Sequence, residues 1–213
     1  MDHAFTESPL ALITGVGRAV GIGAAVTTAL VADGWRVVTT GWRPYDERMP
    51  WGADVAPLAH EEADLAEADA PTALVERVRA THGPIRALVI CHTESVDSDL
   101  LTTTVESWDR HFAVNARAVW LLVAAFARQF DGPAGTGRIV AFTSDHTPFN
   151  LPYGASKGAL DRIVLAAAVE LAELGVTANV MCPAGNATST AAAACTSQAA
   201  LTSRTVGRSR GTT

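Results

Sequence analysis

The chain has 213 residues, 48% of them apolar and 18% charged, with a formal charge of −6. That is long enough for one domain with its own core and too apolar for a disordered chain. The acidic balance argues against a broad nucleic-acid or anionic-membrane surface, so neither partner is expected. No apolar stretch approaches the ~20 residues that cross a bilayer, and the N-terminal residues lack the basic and apolar blocks of a secretory leader. Three cysteines, Cys91, Cys182 and Cys195, have no metal-type spacing. They read as free thiols of a cytoplasmic protein, and no metal site is expected.

The elements alternate from residue 10 to about 183. Leu10 to Val16 is a short apolar strand running into glycines. Ile22 to Asp33 has helical spacing, and Trp35 to Thr40 is a second strand. Gly41 to Asp64, with Pro44, Pro50 and Pro57, reads as irregular, ending in a short third strand near Ala63. Pro71 to His82 is a helix opened by proline, and Ile85 to Cys91 is a fourth strand. A long helix covers Ser107 to Phe130, with a shorter one near Asp99 before it. Gly137 to Ser144 is a strand, Tyr153 to Leu174 a helix stopped by Gly175, and Val176 to Cys182 a sixth strand. Strands written as unbroken apolar runs, such as IRALVI and RIVAF, are buried on both faces. The fold class is therefore α/β: a three-layer, doubly wound parallel sheet of about six strands, without a seventh.

Residues 184–213 change character. Eight Ala, seven Thr and four Ser dominate, and Leu201 and Val206 are the sole large aliphatics. Such a segment buries too little apolar surface to offset an ordering cost of ~1–2 kcal/mol per residue. Two regions result: residues 1–183 as the folded domain and residues 184–213 as a poorly ordered tail.

Two segments carry chemistry. Thr14-Gly15-Val16-Gly17-Arg18-Ala19-Val20-Gly21-Ile22-Gly23 lies between the first strand and the first helix. Glycines there let the backbone turn tightly against a phosphate, and the helix N-terminus offers free N–H groups and a partial positive charge. Tyr153-Gly154-Ala155-Ser156-Lys157 sets a phenol and an amine four residues apart, on one helix face. A neighbouring ammonium favours the phenolate, so this pair is expected to make Tyr153 a working acid–base group.

In this order the motifs resemble the short-chain dehydrogenase/reductase family. Thr14, Gly15, Gly21 and Gly23 match its T-G-x-x-x-G-x-G turn, with two extra residues inside. The resemblance implies a Rossmann NAD(P)-binding domain over 1–183 and an altered or C-terminally truncated member beyond it. It implies a catalytic set of Asn115, Ser144, Tyr153 and Lys157. Tyr153 exchanges the proton, Ser144 steadies the substrate oxygen with Thr143 as fallback, Asn115 holds a water near the lysine, and Lys157 also bonds the nicotinamide ribose. The cofactor-binding positions are Thr14, Gly15, Arg18, Gly21, Ile22, Gly23, Arg43, Asp64, Leu65, Cys91, Tyr153, Lys157, Pro183 and Thr188. Asp64-Leu65 is similar to the pair that contacts adenine. Pro183 and Thr188 keep the spacing of P-G-x-x-x-T, with Ala184 in place of glycine. Ile90-Cys91-His92-Thr93 stands where the family has N-N-A-G, and a Cys91–His92 metal pair is rejected for want of partners.

NAD-preferring members end the second strand on an aspartate. Here no acid stands at that position, and Arg43 or Arg18 is available for a 2′-phosphate, the competing reading being ordinary solvated side chains. NADP is therefore the expected cofactor, with NAD possible. The resemblance implies hydride transfer between NADP(H) and a small carbonyl or alcohol substrate, of ketone or 3-oxoacyl type. The alternative is an impaired relative that binds NADP(H) without turnover. It also implies a homodimer, with Leu121, Leu122, Ala125, Leu160, Ile163, Val164 and Ala167 as a candidate apolar face, unless these only cover the sheet.

Overall fold

The computed structural model describes residues 8–54 and 61–183. The tail 184–213, and Thr188 with it, lies outside the described residues. In chain order the elements are β1 (Leu10–Thr14), α1 (Ile22–Ala32), β2 (Arg36–Gly41), α2 (Arg43–Arg48), β3 (Glu61–Glu62), α3 (Ala70–His82) and β4 (Ile85–Ile90). There follow α4 (Val105–Phe112), a π-helical turn (Ala113–Arg117), α5 (Ala118–Gln129), β5 (Gly137–Phe142), α6 (Leu151–Glu170) and β6 (Val176–Met181).

The strands form one sheet in the order β3-β2-β1-β4-β5-β6, and every pairing is parallel. Alternate strand residues serve two faces. Leu12, Leu88 and Ile139 pack with Leu74 of α3, Phe126 of α5 and Leu160 of α6. Ile13 and Val89 face the other way, toward Ala24, Val26 and Leu30 of α1. The strand order changes direction between β1 and β4, so their C-terminal ends part and leave the crevice in which doubly wound sheets bind ligands.

Four local readings differ from the sequence expectation. α2 occupies part of the stretch read as irregular; Pro44 sits in its first turn, where a missing N–H is harmless. The segment near Asp99 is a turn rather than a helix, because the Asp99 carboxylate accepts from the backbone N–H groups of Leu101 and Thr102, both at 2.9 Å. The long helix begins at Val105, where the Thr104 hydroxyl accepts from the Ser107 N–H, and the π-helical turn interrupts it. α6 ends at Glu170 because the chain then closes into tight turns up to Gly175, with φ of 69°.

The apolar face proposed for a second copy is mostly core: Leu122, Ala125, Leu160, Val164 and Ala167 are buried against the sheet. The exposed apolar residues of α4 and α5 are Val105, Trp108 and Trp120. Among the described residues no helix is long and apolar enough to cross a membrane.

Candidate active site

A cleft of about 320 Å³ opens at the crevice between β1 and β4. Gly15, Gly17, Arg18, Gly21, Ile22 and Gly23 line one end, Thr40, Gly41, Trp42, Tyr45 and Asp46 a second side, and Asp64, Leu65, Cys91, His92, Glu94 and Arg110 the rest. Gly15 holds φ at 76°, and a Cβ there would stand 2.4 Å from the His92 nitrogen, so no other residue fits. The backbone at the end of β1 thereby lies directly on the turn after β4. Gly21 caps α1 without a side-chain acceptor, so the helix N-terminus faces the cleft uncapped by the chain itself.

Thr14 lies beneath this surface. Its hydroxyl is 2.7 Å from His92 Nδ1 and accepts from the Cys91 N–H at 3.3 Å. His92 Nε2 stands 3.0 Å from the Val114 carbonyl, which can only accept. Nε2 therefore carries the proton, and Nδ1 accepts from Thr14. Burial pushes the His92 pKa down to about 3, with the Lys157 charge adding to the effect, so the ring is neutral. Both nitrogens are used, which leaves none for a metal.

The two arginines behave differently. Arg18 lines the cleft, with its guanidinium 4.5 Å from the Trp51 ring centre and Nε 3.8 Å from the Asp46 carboxylate. Arg43 is directed away from the cleft, donating to Glu47 at 2.8 Å and to the Asp54 carbonyl at 2.9 Å. The strand end carries no acid, as the sequence indicates, but α2 supplies one: Asp46 is buried beside Gly17 and lines the cleft. Asp64 also lines it, yet its carboxylate is held by Arg110 at 3.1–3.3 Å and accepts from the Ala66 N–H.

The second cluster lies at the ends of β5 and α6. The strand stops at Phe142, two residues short of Ser144. Between them and α6 the loop folds back sharply: Phe149 takes a φ of 62°, uncommon for a bulky residue. Gly154 then lets the loop pass close, since a Cβ there would sit 2.3 Å from the His146 carbonyl oxygen. This compact path spans the nine residues from Ser144 to Tyr153 and brings the Ser144 side chain within electrostatic reach of the phenol. Burial raises the Tyr153 pKa, the Ser144 hydroxyl opposes that, and Lys157 does not figure among the causes. The expected lowering by the ammonium is therefore not what sets this phenol, which is protonated at neutral pH. Lys157 is 5.8 Å from the Tyr153 ring centre and donates to the Phe142 carbonyl at 2.9 Å. Burial brings its pKa down to about 8, with the nearby Asp161 carboxyl group opposing the fall.

Asn115 sits in the π-helical turn and is fully buried. Its amide donates to the Glu94 carbonyl at 2.8 Å and to Ser156 Oγ at 2.9 Å, and it accepts from the Glu94 N–H at 2.8 Å. These bonds commit its side-chain amide to protein groups. Ser144, Tyr153 and Lys157 do not line the enclosed cleft; Cys91 joins the two clusters, lining the cleft while lying within electrostatic reach of Lys157. Burial pushes the Cys91 thiol up to about 12, which keeps it un-ionised. Pro183 is exposed, beyond the end of β6.

Sequence reasoning did not single out Asp46, Glu94, Arg110 or Ser156 as site residues. Ser156 carried a local signal, lying next to Lys157 on the motif helix. The others are joined by contacts between distant segments, which no local pattern records.

The family model described as short chain dehydrogenase matches residues 9–199, extending past residue 183. An uncharacterized oxidoreductase YjdA of Bacillus subtilis is 29% identical over 86% of this chain and 76% of its own length. The mouse (3R)-3-hydroxyacyl-CoA dehydrogenase is 31% identical over 83% of this chain and 73% of its own. A crystal structure of 3-oxoacyl (acyl-carrier-protein) reductase from Agrobacterium tumefaciens C58 with NADP bound superposes with a TM-score of 0.67. It is 25% identical, covering 82% of this chain and 69% of that one.

Proposed function

The chain belongs to the short-chain dehydrogenase family and is an oxidoreductase, and we propose that it moves a hydride between NADP(H) and a ketone or 3-oxoacyl substrate, or the matching alcohol. The observation that carries this reading is Tyr153 with Ser144 in electrostatic reach and the buried Lys157 one helical turn along α6. The glycine turn fits a dinucleotide, because its backbone is bare where a Cβ would collide and the N-terminus of α1 opens onto it. Gly15, Gly21, Ile22 and Gly23 would hold the pyrophosphate, Asp64 and Leu65 the adenine side, and Arg18 a 2′-phosphate. Pro183 and Thr188 keep the family spacing for the nicotinamide end.

When bound, the cofactor supplies or accepts the hydride. The chain's own groups manage the proton. Tyr153, kept protonated by its partly buried setting, donates to the substrate oxygen in the reducing direction. Ser144 fixes the phenol and stabilises charge developing on that oxygen. Lys157, largely ammonium at neutral pH with a pKa near 8, supplies positive charge beside them. Asn115 holds the chain after β4 against α6 and so fixes Lys157 relative to the cleft.

The test is a titration of NADPH against NADH, followed by NADPH oxidation with simple ketones and 3-oxoacyl thioesters. NADPH binding with oxidation by one substrate class is expected. Tighter NADH binding would show that Asp46 outweighs Arg18, and binding without any oxidation would indicate a nucleotide-binding protein instead. Light scattering of the same sample should give the mass of a dimer joined through the outer faces of α4 and α5, where Val105, Trp108 and Trp120 are exposed; a monomer's mass would refute that assembly.

A further inference from the structure

Glu94 lies in the turn after β4 and its side chain is 3% exposed, an expensive place for a carboxylate without partners. It has partners on both sides. Arg48, the last residue of α2, donates to both carboxylate oxygens at 2.5 Å, and Arg110 of α4 approaches at 3.4 Å. Its main chain is equally committed, since the Asn115 amide bonds both its N–H and its C=O at 2.8 Å. Glu94 is thus a fixed point, tied to the helix that carries Asn115, onto which Arg48 is drawn.

That fixed point matters because α2 has six residues and cannot hold its own shape. Trp42, Tyr45 and Asp46 of this segment line the cleft, as do Glu94 and Arg110 from the turn after β4 and from α4. The Arg48–Glu94 bridge joins the two groups. Arg110 reinforces it, with its guanidinium 4.5 Å from the Trp42 ring centre and its second carboxylate partner at Asp64. The Arg48 guanidinium also lies 5.1 Å from the Tyr45 ring centre. The geometry points to Glu94 as a positioning residue for the dinucleotide: it anchors α2 to the Asn115 helix and so shapes the compartment that receives the adenosine half. This rests on reading the cleft as a nicotinamide-dinucleotide site.

The adenosine half and the nicotinamide half can be probed separately, with ADP-ribose 2′-phosphate and nicotinamide mononucleotide, using quenching of tryptophan fluorescence as the readout. Glu94→Gln should weaken ADP-ribose 2′-phosphate by about tenfold and leave nicotinamide mononucleotide unchanged. Arg48→Gln alters a partly exposed partner and avoids a folding defect; it should give the same selective loss. The double variant should lose no more than the worse single one, as expected when both act through one bridge. Equal weakening of both fragments, or an unchanged affinity for the adenosine fragment in both variants, overturns the inference while the cofactor reading stands. A wild-type protein that binds neither fragment removes the cofactor reading and the inference with it.

Discussion

The cleft and the β5–α6 cluster beside it, the two ends of the site, handle charge in opposite ways. Around the glycine turn and α2, three guanidiniums face three carboxylates: Arg18 with Asp46, Arg48 with Glu94, and Arg110 with Glu94 and Asp64. At the β5–α6 end, Lys157 is buried with a backbone carbonyl as its hydrogen-bond acceptor, and Tyr153 is partly buried with the neutral Ser144 hydroxyl in electrostatic reach. Paired charges hold geometry. Buried groups without a matched counter-ion have displaced pKa values, as proton-transferring groups do. The cleft therefore reads as a rigid holder and the β5–α6 end as the reactive part. An anionic dinucleotide meets balanced side-chain charge at the holder, so its attraction comes chiefly from backbone N–H groups and the α1 terminus.

The largest effect that separates the two ends is expected from Tyr153→Phe. It removes the proton donor and leaves every residue lining the enclosed cleft in place. Turnover should fall by roughly 10²–10⁴-fold, the usual contribution of a positioned acid. Cofactor affinity should change by no more than about twofold. Steady-state kinetics beside an equilibrium titration would decide this. A variant that loses cofactor affinity in step with turnover would mean that the reactive end also holds the dinucleotide.

The reactive end was also the more legible in sequence. Tyr153 and Lys157 announce themselves through a four-residue spacing, and Gly15 through a glycine-rich turn after an apolar strand. Five of the six strands read as apolar runs because a parallel sheet buries both faces. The sixth, β3, has two residues and paired only approximately with its expected place near Ala63. Beyond its glycine turn, the holder end was nearly silent. RPYDER has no apolar stripe, so α2 did not register as a helix, and Arg48 meets Glu94 across 46 positions. Sequence also could not tell which way an arginine points. Arg43 stands nearer the expected strand end than Arg18 in sequence, yet Glu47 lies one helical turn away and claims it.

His92 joins the two ends, and its effect is one of stability. Its folded pKa is about 3 against an ordinary 6.5. Between those values the unfolded chain takes up a proton that the folded protein refuses, so stability is complete above pH 6.5 and drains away as pH falls toward 3. At about 1.4 kcal/mol per pKa unit, the whole effect is several kcal/mol. His92→Gln keeps a donor and an acceptor without a titrating ring. It should lose about 1 kcal/mol at pH 7 from imperfect bonds to Thr14 and Val114, then lose less than the wild type on going to pH 4.5. Urea unfolding at the two pH values measures the difference. Parallel losses in the two proteins would mean that His92 is not held neutral by its burial.

The smallest effects test the holder end where the sequence was least able to choose. Arg43→Ala removes an exposed pair with Glu47, worth about 0.2–1 kcal/mol at most, and touches no residue lining the cleft other than its chain neighbour Trp42. NADPH affinity should shift by less than about twofold. Arg18→Ala removes a cation whose tie to Asp46 is long, at 3.8 Å, and which is therefore free to turn toward an anion. NADPH should weaken by roughly tenfold, the worth of one charge-assisted bond to phosphate, while NADH is little affected because it lacks the 2′-phosphate. Asp46→Asn should act in the reverse sense and improve NADPH over NADH, since it removes the carboxylate that competes for the same guanidinium. If Arg43→Ala instead matched Arg18→Ala in NADPH selectivity, α2 would have to rotate on binding, and the Arg48–Glu94 bridge could not be its permanent anchor.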